Sequence, residues 1–435
     1  MNRIFAITSI AIRNAIRSKI VVMLMVPLIF AAVGIPLMIK GDGTMVGKVK
    51  ILLNYSLGFS LAVLSIVTLW SGCASISTEI HEKLIHTVVS KPISRFQIWL
   101  GKWFALLIVN FLLVAFAGIA IYGGLRWQTR LAGEEQETLH QTVLTSRKMV
   151  PHIEPTVPDE MVKSYYEEAL RQGRPEIPIH RVRNTIKNEL LDRRAVVRKE
   201  GGETFWLFEV KDKLREDHPL YLRYRFDLLA MASESESPGI WRFGKQADSP
   251  QIPVLHEAQL IHEIEIPKES IDADGRVMIT YVNQSSMDVL MDRNYGPSLL
   301  FYREPFVVNY MKALLMLFFQ LAFLAAIGLT AGSLFSLPVA ALVSFFLILL
   351  QSFGGFLEKY EQITQSGILG PFYKFLHMLT GPLQGPNAME QLANGNQIAA
   401  MSVVSMFLIK VLLYCGVIAL IGNLLFNRRE IGIPS

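Results

Sequence analysis

Residues 103–125 read WFALLIVNFLLVAFAGIAIYGGL, a run without a single charge and with one amide, Asn110. A helix needs about 20 mostly apolar residues to cross a bilayer, so this stretch places the chain among membrane proteins. Further runs of that kind lie at 20–39, 52–75, 306–331, 334–353 and 399–425. The expectation is a polytopic α-helical membrane protein with six transmembrane helices. Composition agrees: of 435 residues 51% are hydrophobic and 18% charged, where soluble domains carry about a quarter charged residues.

The polar residues are not spread evenly. Residues 126–305 hold 25 Lys+Arg and 30 Asp+Glu, against 17 and 7 in the rest of the chain. The organisation predicted is therefore 1–125 with three spans, an insert at 126–305, and 306–435 with three more. The basic excess lies beside apolar runs, where topology accounts for it, so nucleic acid is not an expected partner. Cys73 and Cys415 fall within apolar runs and the insert has no cysteine; it must fold on its own core. From 156 to 200 it is helix-like, with Met161, Tyr165 and Leu170 in one run and Ile186, Leu190 and Leu191 in another. After 203 it becomes strand-like, at 205–208, 221–226, 261–266 and 277–282, with a turn at 272–275. This predicts an extracytoplasmic α+β insert with a β-sandwich-like part.

Orientation follows from Lys and Arg, which accumulate at cytoplasmic ends of spans. Arg3, Arg13, Arg17 and Lys19 precede the first span, Lys83, Lys91, Arg95 and Lys102 separate the second from the third, and Arg428 and Arg429 follow the last. They outnumber Lys40, Lys48 and Lys50 of the first outer loop. Both termini are expected in the cytoplasm, with the chain in the cell's inner membrane and the insert outside. The first apolar run fills a whole span after a basic lead, which predicts a retained anchor rather than a cleaved signal. Within that lead Arg3, Arg13 and Arg17 share an arc of about 80° on a helix, opposite Ile4, Phe5, Ile12 and Ile16, while Ile7 and Ile10 break the pattern. This is the pattern of a helix lying in the inner leaflet's interface with its Arg face towards lipid phosphates.

Between spans two and three, residues 76–102 read ISTEIHEKLIHTVVSKPISRFQIWLGK. Glu79 with Lys83, and Glu82 with His86, have the i,i+4 order of helical pairs. Pro92 restricts Lys91 and ends that helix by about Ser90. Ser94-Arg95-Phe96-Gln97 has the spacing of a capping box, which starts a new helix running into span three. The alternative is a solvated loop that carries its positive residues for topology alone.

Glu79, Lys83, Ile85 to Thr87, Val88-Val89-Ser90-Lys91-Pro92-Ile93-Ser94-Arg95 and Leu100-Gly101-Lys102 together resemble the cytoplasmic coupling segment of permease subunits of ATP-binding-cassette exporters. The similarity is greatest to the branch that includes permeases of copper-enzyme maturation. Leu84 departs from that pattern, where Thr is usual, and Val88-Val89 keep its apolar character. The terminal Phe426-Asn427-Arg428-Arg429-Glu430-Ile431 and the N-terminal interfacial helix are also similar. The resemblance covers about 1–125 and 306–435 and is silent on the insert. It implies a separate ATPase subunit, carrying ATP and magnesium, that docks on this segment, and a second copy or a related permease completing the pathway. The residues it marks for coupling are Glu79, Glu82, Lys83, His86, Thr87, Lys91, Pro92, Arg95, Gly101 and Lys102.

Other motifs carry less. The string Gly239 to Lys245 has Walker spacing but is followed by Gln246 rather than Ser or Thr. His81-Glu82 with His86 misses the i,i+4 spacing of a zinc-protease helix. In the insert, Trp206, Phe208, Tyr221, Tyr224, Trp241 and Phe243 read as core or as a sugar-binding face, with core favoured. His256-Glu257 and His262-Glu263 read weakly as metal ligands. No catalytic constellation, cofactor or metal site is expected in this chain. Residues 354–398, with Phe372, Phe375 and Leu379 on one face, suggest outer interfacial or re-entrant helices. The expected function is the permease subunit of an exporter. The alternatives are a non-transporting anchor presenting the outer module, and a permease that transmits ATPase strokes to a periplasmic partner.

Overall fold

The computed structural model describes residues 2–17, 20–38, 44–82, 94–130, 133, 136–171, 178–210, 218–228, 236–245, 249–272, 274–292, 296–347, 349 and 387–428. The chain divides into two compact units, one of 1–146 with 304–435 and one of 147–303.

The first unit is helical. α1 is Asn2–Arg17; α2 is Ile20–Ile29, continued by a π-turn at Phe30–Gly34 and by α3, Ile35–Met38. Then come α4, Met45–His81, α5, Arg95–Arg130, and α6, Gln136–Thr142. The 304–435 half of this unit begins with α9, Phe306–Leu334, and α10, Leu337–Leu347. α11, Ala388–Ala393, precedes the last helical stretch, which is α12, Ala400–Met406, a π-segment at Phe407–Tyr414 and α13, Cys415–Arg428.

Among the described residues four helical stretches are long and apolar enough to cross a membrane: Met45–His81, Arg95–Arg130, Phe306–Leu334 and Ala400–Leu425. The protein is thus membrane-embedded with four such helices, where the hydropathy of the sequence gives six. The first expected span is helical over 20–38 but is divided by the π-turn after Pro27. The fifth has Leu337–Leu347 described as a shorter apolar helix. Helices α4 and α5 outrun the apolar runs at 52–75 and 103–125 at both ends, because polar residues that hydropathy reads as loop continue the helix.

α9 is the central helix of this unit: 78% of its apolar window is buried, against 17% for the last stretch. It crosses α4 at glycines. A Cβ on Gly72 would lie 3.0 Å from the Gly328 backbone, and one on Gly332 would lie 2.8 Å from Cys73 Cα. Lipid tails are as apolar as leucine, so membrane helices associate through such close backbone approach and through polar contacts. Trp103 Nε1 accordingly donates to Ala322 O at 3.0 Å, and the Tyr310 hydroxyl to Gly118 O at 2.8 Å. Asn309 clasps the chain after α11, donating to Asn396 O and accepting from the Ile398 N–H, both at 2.8 Å. Leu408, Leu412, Leu420 and Leu424 stay exposed on the last stretch, a cost in water that hydrocarbon removes.

The second unit begins at Arg147 rather than at 126. α5 carries on to Arg130, and Leu139 and Val143, at and just after α6, are buried in the helical unit's core. Two helices, α7 (Asp159–Arg171) and α8 (Ile179–Ala195), pack through Val162, Val182 and Ile186, while Met161 is exposed.

The strands are β1 Thr145–Pro151, β2 Val196–Val197, β3 Glu203–Glu209, β4 Leu220–Tyr224, β5 Phe226–Leu228, β6 Glu236–Phe243, β7 Gln251–Glu257, β8 His262–Ile266, β9 Arg276–Asn283, β10 Val289–Met291 and β11 Ser298–Pro305. They form sheets in the orders β1-β11-β4-β8, β2-β10-β5 and β3-β9-β6-β7. The expected strand at 221–226 is two, because the chain leaves one sheet after Tyr224 and joins another at Phe226. β3 and β6 alternate buried and less buried residues as a half-buried strand does. Trp206, Phe208, Tyr224, Trp241 and Phe243 meet in one core with residues of all three sheets, and Tyr221 is buried as well. The aromatic set is core and lines no open face. Gly275 closes the expected turn with φ +72°, its N–H donating to Asp272 O at 2.9 Å.

Candidate coupling site

Of the residues that the sequence marks for coupling, Glu79 and Glu82 fall at the end of α4 and Arg95, Gly101 and Lys102 at the start of α5. α5 begins with a reciprocal capping box: Gln97 N–H donates to Ser94 Oγ and Ser94 N–H to Gln97 Oε1, each at 3.2 Å. Arg95 is its first residue and is half-buried. One turn beyond Ile98, Lys102 is nearly enclosed, with 5% of its side chain exposed, and its Nζ lies 2.7 Å from Glu79 Oε2. It also donates to Ser75 O. Burying an ammonium without a carboxylate would be costly, so this pair ties the last turns of α4 to the first of α5.

Spacing puts Glu79 with Lys83, which lies outside the described residues; the structure pairs Glu79 with Lys102, across two helices. No separate helix starts at Glu79, which belongs to α4; α4 ends at His81, with Glu82 capping it through its N–H to Thr78 O at 2.9 Å. Lys83, His86, Thr87, Lys91 and Pro92 lie outside the described residues, as does the bend expected between Ser90 and Ser94.

Gly101 is where α1 docks. Thr8 Oγ1 lies 2.9 Å from both Gly101 O and Ile4 O, and a Cβ on Gly101 would come within 2.9 Å of Ile7 Cβ. The packed face of α1 is therefore Ile4, Ile7 and Thr8. Ile7, which breaks the amphipathic pattern, is the contact with Gly101, and Phe5, on the apolar side, stays outside that contact. The docking glycine on α5 selects the face, which a hydropathy pattern cannot show. Arg3, Arg13 and Arg17 are all on the exposed side, as expected. Trp99 stacks on Trp103 with ring centroids 6.0 Å apart and donates to Thr330 Oγ1 at 3.3 Å, linking this corner to α9.

Two lysines lie inside apolar runs, Lys312 in 306–331 and Lys410 in 399–425. Lys410 sits in the π-segment, donates to the buried Gln320 of α9 and lies 5.7 Å from the Phe323 ring centroid. A lysine inside an apolar run is rare enough in membranes to note.

In the second unit His256, His262 and Glu263, three of the four candidate metal ligands, have other partners. Glu263 takes Arg147 Nη1 at 2.7 Å and Arg223 Nη2 at 2.6 Å, which leaves its carboxylate no free edge. His256 Nδ1 lies 2.5 Å from the Tyr224 hydroxyl, and the rings of His256 and His262 stack at 4.2 Å. No group of three or more metal-binding side chains occurs among the described residues. Gly239 to Phe243 is a β-strand, not a phosphate-cradling loop before a helix.

Compared with family models, with curated proteins and with solved structures, the chain matches none.

Proposed function

We propose that this chain is the membrane-spanning subunit of an ATP-driven exporter whose ATPase is a separate polypeptide. The observation that carries the reading is a convergence. Glu79, Gly101 and Lys102, all marked by the coupling-segment resemblance, meet in one corner where α1, α4 and α5 are tied together. In this reading the six spans include 20–38 and the region beginning at Leu337, both termini face the ATPase, the insert lies on the opposite side, and two copies or a related permease form the pathway. Copper-enzyme maturation permeases are the branch it resembles most.

The corner is suited to transmit a stroke. An ATPase that grips the stretch between Glu82 and Ser94 pulls on the end of α4 and the start of α5 at once. The Glu79–Lys102 pair and the Thr8–Gly101 contact make α1, α4 and α5 move as one piece there. The movement is then passed to α9 through Trp99 and the glycine crossing.

Affinity purification of the full-length protein from membranes of its source cell tests this. An ATP-hydrolysing subunit is expected to co-purify, and to be lost when Lys91→Glu and Arg95→Glu are combined while helicity is retained. A clean preparation without any ATPase, or a cysteine at position 88 labelled only from outside the cell, overturns the reading.

A further inference from the structure

A cavity of about 410 Å³ opens between α1, α4 and α5, within the size range of small-molecule sites. Its walls change in character along its length. Leu64, Val67, Val109 and Leu113 make one end aliphatic. Thr68 and Asn110 follow, then the hydroxyl-bearing Ser71, Ser75 and Thr78 of α4. Glu79, Glu82 and Lys102 form the other end, with Asn14 of α1.

Asn110 is the informative residue. It is 4% exposed, its Oδ1 accepts from Thr68 Oγ1 at 3.0 Å, and its Nδ2 has no hydrogen-bond partner among the described residues. A buried N–H without an acceptor is costly to leave unmade, so an occupant that brings an oxygen to this level is favoured. The polar end adds a second constraint. Among the described residues two carboxylates and one ammonium line that end, and the ammonium is already held by Glu79 and Ser75 O. The end therefore favours a cation and disfavours an anionic head. Lys102 and Asn110 are separated along α5 by about 12 Å at 1.5 Å per residue, so the occupant must be polar at two levels and apolar beyond the second.

We propose that this cleft binds one zwitterionic phospholipid with an ammonium head. The ammonium lies at Glu79 and Glu82, the phosphate accepts from the hydroxyls of α4, an acyl ester carbonyl accepts from Asn110 Nδ2, and the chain follows Leu64 and Leu113 into the bilayer. The order of cation, phosphate, carbonyl and chain matches the order of carboxylates, hydroxyls, amide N–H and aliphatic wall. The proposal does not depend on the exporter reading.

Native mass spectrometry of the purified, delipidated full-length chain tests it, with phosphatidylethanolamine or phosphatidylglycerol supplied in turn and without any ATPase present. One phosphatidylethanolamine per chain is expected to be retained, with phosphatidylglycerol retained at least tenfold less. Asn110→Leu should weaken retention about tenfold, the worth of one hydrogen bond, and Ala74→Trp should abolish it by filling the cleft. Glu82→Gln, at the exposed end where folding is undisturbed, should narrow the preference between the two lipids. Equal retention of both lipids by the unaltered protein overturns the proposal, as does retention that neither Ala74→Trp nor Asn110→Leu changes in folded protein.

Discussion

Glu263 holds two arginines that are almost wholly enclosed, Arg147 and Arg223, each within 2.7 Å of its carboxylate. Burial pushes the Arg223 guanidinium below its ordinary range, and Glu263 opposes that shift. Removing one partner of a buried ionic group leaves uncompensated charge, which costs about 3–5 kcal/mol. Glu263→Gln is therefore expected to destabilise the 147–303 unit by that order, read as an earlier loss of near-ultraviolet circular dichroism in a urea titration of the detergent-solubilised protein. His256 gives a pH dependence. Burial, and then the neighbouring His262, push its imidazole from 6.5 down to about 4. In that window the unfolded chain binds the proton that the folded one refuses, so stability is full above pH 6.5 and falls as pH drops towards 4. His256→Phe should flatten the acid limb of a melting-temperature profile between those values; an unchanged limb would show that another group sets it. The sequence presents His256 and Glu263 as weak candidate metal ligands. It could not show that their partners come from β1 and β4, far away in the chain.

The helix crossing is set by single atoms. Gly332→Val would place side-chain carbon against Cys73 backbone already only 2.8 Å from a Cβ position, and overpacking of this kind costs about 1–3 kcal/mol. A lowered melting temperature in detergent is expected. Gly416→Ala is the control of opposite sign, because no described residue lies within 4 Å of its Cβ position and alanine is the better helix former by about 1 kcal/mol. At this scale much could be read beforehand. The capping box at Ser94 and Gln97 is local and starts α5 where the sequence places it. The apolar runs at 103–125 and 306–331 lie within long helices, as does 399–425 from Ala400 on. Helix ends were less readable, since Met45 to Lys50 and Ser77 to His81 are polar enough to pass for loop yet continue α4.

At the scale of the molecule, a helical unit is interrupted by a largely β unit inserted between Ser146 and Glu304. Those two side chains lie 3.4 Å apart, and Lys312 Nζ holds Glu304 at 2.5 Å. The ends left by removing 147–303 are thus already adjacent, and replacing that stretch by a short Gly-Ser linker should leave a helical unit that still inserts and runs as a single species in size-exclusion chromatography. Aggregation of the shortened chain would show that its core needs the insert. The sequence by itself determined that apolar helices cross a membrane, that a β-rich module interrupts them, and where the capped helix begins. Those features follow from composition and short-range periodicity. Only the tertiary structure decided that Glu79 belongs to Lys102, that Ile7 rather than Phe5 docks α1, that Glu263 serves two arginines, and that the insert starts at Arg147. The pairings are choices among side chains of like chemistry, decided by which backbones can approach closely enough to make the contact, and the boundary follows from Leu139 and Val143 being buried in the helical core.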